Sequence, residues 1–489
     1  MNKTFAANKG DMMYEHSGDH FLQFFAKAGS LYTSKQTFYD NPSNGLDLFK
    51  NCWFSDKITS MKLLMWLRNC RGGAGNRSLS REIINWIAKN DSQWVASNID
   101  FIAKYGRFDD LEVLYDTPVE DVALKFWKNA IEVQKNGLAA KWADRKDNKL
   151  RKSMKMTPKD FRKLLVSLSK TVEQKMCARL FSEIEYSHVP SKAMANYTKA
   201  FKKNDEAGFA KYKESLANGE TKINASVLFP HDCVNTAFNG DGQIAKQQFL
   251  ALPNYISTGK NILAMPDFSG SMGTIIYGKT SALVASIGLA LYCSRNSNPD
   301  SVFHNTFLSF SDSPFLVNWD IKDDFSETLH HIQQENCQMG TTNIEAAFNL
   351  ILSTAKTFKL KQNQMPDYLL ILSDMQFDVA VSTNPKPSQQ KRNQYSYGYD
   401  PVVKSENANS VIDNFRDKFV EAGYVLPKII FWDLTGYTGA VSNKDEKNVA
   451  LVSGFSPSVL KCVLSDTLEN ITPMQVMLDT IEKYEVVVP

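Results

Sequence analysis

From Asn44 to about Phe249 the apolar positions fall on stripes close to a 3.6-residue period. Leu46 pairs with Phe49, Met61 with Leu64, Trp66 and Leu67, Ile83 with Ile84 and Ile87, Leu111 with Leu114, and Val122 with Leu124, Phe126 and Ile131. Such stripes mark helices with one buried face, separated here by short polar turns. Alternating strand patterns are scarce and no long heptad run occurs. The first half is therefore expected to be all-helical, a HEAT-like succession of helix pairs, although no clean fixed period repeats. Ahead of it lies a mixed lead-in to about Phe38, whose one helical signal is His20 to Ala28 with Phe21, Phe24 and Phe25 on one face.

The pattern changes at Asn261. An apolar run, Ile262 to Met265, is followed by a helix (Ser281 to Ser294), a strand (Phe303 to Phe310), and helices near Phe325 to Glu335 and Ile344 to Phe358. Then come a strand (Tyr368 to Leu372), a helix (Ser410 to Ala422), two strands (Lys428 to Asp433 and Ala450 to Val452) and a closing helix from Pro473 to Tyr484. Strands alternating with helices build a mostly parallel sheet covered on both faces, with ligands at the strands' carboxyl ends. The expected fold is thus α followed by α/β: a lead-in over 1–38, a helical repeat domain over 39–255 and a doubly wound domain over 256–489.

Two domains suit a chain of 489 residues. A hydrophobic fraction of 43% and a charged fraction of 22% are those of a soluble globular protein. No apolar run approaches the roughly 20 residues that span a bilayer, and Met1 to Asp11 has no apolar segment of signal type, so a cytoplasmic protein is expected. The seven cysteines lie far apart without a C-x-x-C pair, which suggests neither a zinc site nor a disulfide framework.

Charge changes the picture more than composition does. Between Lys135 and Lys203 there are 18 Lys and Arg against 6 Asp and Glu, a local +12 that leaves −9 on the rest of a chain whose total is +3. The densest part holds Lys141, Arg145, Lys146, Lys149, Arg151, Lys152, Lys155, Lys159, Arg162 and Lys163, with Trp142 and Phe161 interleaved. Too few acidic residues stand at i,i+4 to make this merely a solvated, self-paired helix face. Contact with the phosphates of a nucleic acid is the expectation.

Two turns of the helical half invite a chemical reading. Arg71-Gly72-Gly73-Ala74-Gly75-Asn76-Arg77 resembles a phosphate loop, but it follows a helix and lacks the Gly-Lys-Ser/Thr ending, so a helix C-cap is expected. In Tyr105-Gly106-Arg107-Phe108-Asp109-Asp110-Leu111 the Gly stops one helix and Asp109 is the expected N-cap of the next. His231, Asp232 and Cys233 are adjacent, which does not make a triad.

The strongest chemical signal is Asp267-Phe268-Ser269-Gly270-Ser271-Met272-Gly273. It gathers one carboxylate and two hydroxyls where an apolar strand ends. These are hard oxygen ligands suited to Mg2+ or Mn2+, and the glycines are expected to permit turns that a residue with Cβ would resist. Hydrolase readings fail on the residues: there is no second Asp of phospho-aspartyl type, no Gly-x-Ser-x-Gly elbow and no convincing His partner. A non-enzymatic binding site is expected.

The Asp-x-Ser-x-Ser spacing resembles the metal-ion-dependent adhesion site (MIDAS) of von Willebrand factor A (vWA) domains. Gly340-Thr341-Thr342-Asn343 is similar to that family's second loop, which implies Thr342 as a third hydroxyl. Leu369 to Asp374 is similar to its last site strand, which implies Asp374 as the second carboxylate. In the family the hydroxyls coordinate more directly, the carboxylates act partly through waters, and one position accepts a partner's carboxylate. Between 376 and 410 the chain has little periodicity and several tyrosines and cations; this insertion is expected to help grip whatever docks beside the metal.

With the helical half included, the chain resembles the Ro ribonucleoprotein family and its TROVE module. Trp66 to Gly75, Tyr105 to Leu111, Val189 to Met194, Asp267 to Gly273 and Leu451 to Ser456 carry the resemblance. It implies a helical ring closed by a vWA domain, binding small structured or misfolded RNA on its basic surface. The alternative is a protein-protein scaffold that recognises a partner carboxylate at the metal, without RNA.

Overall fold

The computed structural model describes residues 5–8, 11–14, 19–30, 45–239, 241–256, 259–273, 275–277, 280–309, 313–322, 324–336, 344–375, 411–435, 445–456 and 472–489. A helical region is followed by a mixed α/β sheet domain. Short helices fill 45–250, the longest being Lys57–Arg68, Ser78–Asn90, Glu120–Glu132, Pro158–Ser169, Ser191–Asn204 and Glu206–Ala217. Polar side chains start many of them. Asp56, Asn136, Asp147, Thr157, Asp205 and Asp241 each accept a backbone N–H of the first turn, an interaction worth about 1 kcal/mol apiece.

The strands are β1 (Phe5–Asn8), β2 (Asp11–Tyr14), β3 (Ile262–Pro266), β4 (Ile275–Tyr277), β5 (Thr280–Ser281), β6 (Thr306–Ser309), β7 (Phe315–Asn318), β8 (Tyr368–Ser373), β9 (Lys428–Asp433) and β10 (Val449–Ser453). β1 with β2 and β4 with β5 are small hairpins, and neither was expected from the sequence. The main sheet runs β10-β9-β8-β3-β6-β7, parallel throughout except for β7, which returns antiparallel beside β6 as an edge. The single strand expected over Phe303 to Phe310 is thus shorter and is the first arm of a hairpin.

Residue parity along the strands divides the core in two. Ile262, Ala264, Leu370, Leu372, Ile430, Trp432, Ala450 and Val452 face one cluster, with the helices Ala282–Asn296 and Pro473–Glu482. Leu263, Met265, Leu369, Ile371, Ile429, Phe431, Val449 and Leu451 face the other, with Ile344–Thr357 and Val411–Glu421. Both faces are covered, which is why the strands read as continuous apolar runs. The first cluster continues without a break into the helical region as far as Leu165, so the two halves share a core. A third cluster, around Tyr186, Phe201 and Phe209, belongs to the helical region alone.

The helix His20–Ala28 packs on β10 and on Gly45–Ser55. Its end is sewn to the carboxyl end of β10: Ser453 Oγ donates to Phe25 O (2.8 Å) and accepts from Gly29 N (3.0 Å), while Gly454 N donates to Ser30 Oγ (2.9 Å). A Cβ on Gly29 would lie 2.6 Å from Ser453 O, so only glycine allows the approach.

Candidate functional site

β3 is the switch point of the sheet. The chain leaves it toward β6 on one side and comes back, by way of β8, on the other. In open α/β sheets the crevice at such a point, outside the strands' carboxyl ends, is where ligands bind. Asp267 follows β3 and Asp374 follows β8, so the topology brings the two carboxylates together across neighbouring strands. Both are buried, at 0% and 2% exposure.

Hydrogen bonds fix the arrangement. Asp267 N donates to Leu372 O (3.0 Å), the last ladder bond of the pair. One carboxylate oxygen of Asp267 accepts from Ser269 N (2.8 Å) and the other from Ser373 Oγ (2.6 Å). The two loop hydroxyls, Ser269 Oγ and Ser271 Oγ, are 3.0 Å apart, and Ser271 is exposed. Burial first, and the neighbouring charge of Asp374 second, push the Asp267 carboxyl up to about 6, against the hydrogen bonds from Ser373 and Ser269. Two buried carboxylates beside two converging hydroxyls form a donor set that a hard divalent cation fits, because its charge would relieve that repulsion.

Gly270 and Gly273 adopt no left-handed φ, and a Cβ on either would meet nothing within 4 Å. The loop therefore does not need them for its backbone, contrary to expectation. Thr342 and the 376–410 insertion lie outside the described residues. His231 and Cys233 are buried in the core and Asp232 nearly so. Asp232 is held by Lys192 and by Phe229 N at 2.8 Å, which leaves them structural roles.

The cationic stretch occupies the helices Gly137–Trp142, Asn148–Ser153 and Pro158–Ser169. Lys149 is drawn into the fold by Asp116 (2.6 Å) and Glu120 (2.8 Å), and Arg151 donates to Met156 O (2.9 Å) and Asn148 Oδ1 (3.0 Å). Lys141 lies over the Trp142 ring, whose own neighbour is Arg107 at 4.4 Å. Arg145, Lys146, Lys152, Lys155, Lys159, Arg162 and Lys163 are exposed, and none has an ion-pair partner among the described residues. Seven of ten expected cations are thus presented to solvent unneutralised.

The two glycine-rich turns prove to be one structural unit. Arg68, at 1% exposure, bonds Asp110 through Nε at 2.7 Å. Arg77 reaches Asp109 and Asp110, while Arg81 reaches Asp110 and Glu112. It is Asp110, not Asp109, that accepts the Arg107 N–H (3.0 Å) and caps the short 3-10 turn Phe108–Leu114. A Cβ on Gly73 would lie 2.2 Å from Trp66 O, and one on Gly106 2.5 Å from the Asp110 carboxylate. These glycines serve close packing around a buried ion cluster rather than phosphate binding. Charges of opposite sign in two separate Gly turns were the available signal.

Among known families, residues 261–485 match a domain of unknown function (DUF7788) and residues 119–256 match another, also a domain of unknown function (DUF2828). The chain is 25% identical over 557 aligned positions to "Uncharacterized protein L728" of Acanthamoeba polyphaga mimivirus, across 99% of this chain and 88% of that one. Among solved structures it is similar to the Deinococcus radiodurans RO (RSR) protein, at 12% identity and a TM-score of 0.37, across 96% of this chain and 100% of that one.

Proposed function

We propose that this is a non-enzymatic RNA-binding protein of Ro-like type. In this reading the helical region is HEAT-like and lays its cationic face on RNA phosphates, and the α/β domain is of vWA type, with Asp267, Ser269, Ser271, Thr342 and Asp374 around Mg2+ or Mn2+. The observation that carries the reading is the set of seven exposed cations, Arg145 to Lys163, without acidic partners among the described residues. Unpaired cations at this density repel one another; the phosphates of a bound nucleic acid neutralise them, and the counterions those phosphates release add to the affinity. Trp142, under Arg107 and Lys141, adds an aromatic surface of the kind that stacks with bases. The segments that resemble the Ro family make RNA, rather than another polyanion, the partner of choice.

Titrating the protein against a labelled structured RNA at rising salt tests this. Affinity should fall by about 10³ to 10⁵ between 50 and 200 mM salt if six to ten phosphates are contacted. Joint replacement of Arg145, Lys152, Lys159, Arg162 and Lys163 by Gln should remove most of the salt slope. No binding at low salt would leave the second reading, a scaffold that takes a partner's carboxylate at the metal. That reading is favoured by the strand-end site itself, whose two buried carboxylates owe nothing to the cationic face.

A further inference from the structure

Four of the five helices between 120 and 177 are followed, within three residues, by a cation of positive φ, and two of them close with the same pair of bonds. After Glu120–Glu132 the chain turns left-handed at Lys135 (φ 51°), and after Asn148–Ser153 at Lys155 (φ 53°). It does so again at Lys170 (φ 39°) after Pro158–Ser169 and at Arg179 (φ 60°) after Val172–Cys177. Lys155 N donates to Lys152 O (2.9 Å) and Met156 N to Arg151 O (3.2 Å); Arg179 N donates to Met176 O (3.0 Å) and Leu180 N to Lys175 O (2.9 Å). This double bond pattern closes a helix on a residue with positive φ, a position normally given to glycine because a Cβ is strained there. The chain uses glycine for it elsewhere, at Gly219 (φ 73°) and Gly423 (φ 80°).

Attraction to the helix dipole does not by itself account for the choice, since two of the four helices already carry cations in the last turn without strain, Arg151 and Lys152 in one and Lys175 in the other. The four side chains are exposed and have no bond or ion-pair partner among the described residues. The elements that carry these turns also touch one another. Lys128 Nζ, one turn from the end of its helix, holds Ser153 O at 3.2 Å, joining the helix that precedes Lys135 to the one that Lys155 closes. A Cβ on Gly137 would lie 3.0 Å from Leu168 O, which sets the Lys135 turn beside the Lys170 turn. Gln174 Nε2 bonds Ser169 Oγ at 2.8 Å, tying the Lys170 turn to the helix that Arg179 ends.

We propose that Lys135, Lys155, Lys170 and Arg179 form a rim of turn cations that contacts successive phosphates of a bound RNA strand. This rests on the RNA reading and extends its contact set to three residues, Lys135, Lys170 and Arg179, outside the cation-dense stretch. Glycine at these positions relieves strain, so structure and binding should respond with opposite sign.

The test replaces all four by Gly in the full chain and measures thermal unfolding and binding of a labelled single-stranded RNA of about 20 nucleotides. The expected result is an unchanged or higher melting temperature with affinity about 10- to 100-fold weaker, and a salt slope smaller by about 3. Lys359, which closes Ile344–Thr357 in the same manner in the α/β half (φ 53°), is the control: Lys359→Gly should leave RNA binding unaltered. Wild-type affinity and slope in the fourfold variant, with loss only in the helix-face Gln variant, would overturn the rim and leave the RNA reading standing. Absence of binding by the wild-type chain would overturn both.

Discussion

His231 shows how a residue that looks chemical can be structural. It is 3% exposed, its ring packed between Phe229 and Phe455, with Asp232 Oδ1 3.7 Å from Nε2 and Lys192 beyond. Burial, its largest cause, depresses the imidazole to about 4, against the pull of Asp232 and with the push of Lys192. Above pH 6.5 the ring is neutral both folded and unfolded, and it costs nothing. Below that the unfolded chain takes up the proton while the folded chain does not, so stability falls as pH drops from 6.5 toward 4 and then levels off. The loss expected from this one group is on the order of 3 kcal/mol. Denaturant midpoints of the wild type and His231→Gln, compared from pH 7.5 to 4.5, check it: the gap between them should change across that window. A constant gap would mean that the imidazole is protonated in the folded chain.

At the level of elements, the helix Ala282–Asn296 is the member on which both halves lean. Gly288, at its middle, lets the start of Pro230–Asn239 come so close that an added Cβ would sit 2.8 Å from His231 N and 2.9 Å from Pro230 C. Those obstacles are backbone and cannot rotate away, so Gly288→Ala should destabilise by about 1–3 kcal/mol despite its gain in helix propensity. Chemical denaturation measures this, and a stabilised variant would refute the packing. The sequence made that helix legible through its apolar run, and it marked Asp267 and Asp374 as strand-end carboxylates because each closes an apolar strand. Which face each strand residue takes was not legible, since strands buried on both sides carry no alternation. β7 was missed for another reason: it is a four-residue edge, two of its residues half-buried, one buried and one exposed, with no pattern of its own. The fates of Lys149 and Arg68 were equally hidden. Their partners stand 29 to 42 residues away along the chain, beyond the reach of any local spacing rule.

Across the whole molecule, the end of the chain clasps the beginning of the helical region. Asn98, 2% exposed, donates from Nδ2 to Val487 O (2.8 Å) and accepts on Oδ1 from Val487 N (2.9 Å). Tyr484 OH accepts from Asn69 Nδ2 (3.0 Å), its ring stands edge-on to Tyr105, and Lys483 Nζ bonds Gly72 O (3.2 Å). The preceding helix, Pro473–Glu482, packs on Lys57–Arg68 and on β10. The helical region is therefore fixed to the α/β domain at both of its ends, here and where Pro230–Asn239 meets Ala282–Asn296. A chain tied in this way should unfold as one cooperative unit. Tyr484→Ala removes a 1%-exposed aromatic and strands the Asn69 amide, at an expected cost of about 3–5 kcal/mol. Hydrogen exchange should then quicken in residues 66–74 and 98–105 and along β10, far from one another in sequence yet joined through this side chain and the helix that precedes it. Faster exchange confined to 472–489 would show that the tail is only laid on the surface and that the halves keep their stability independently.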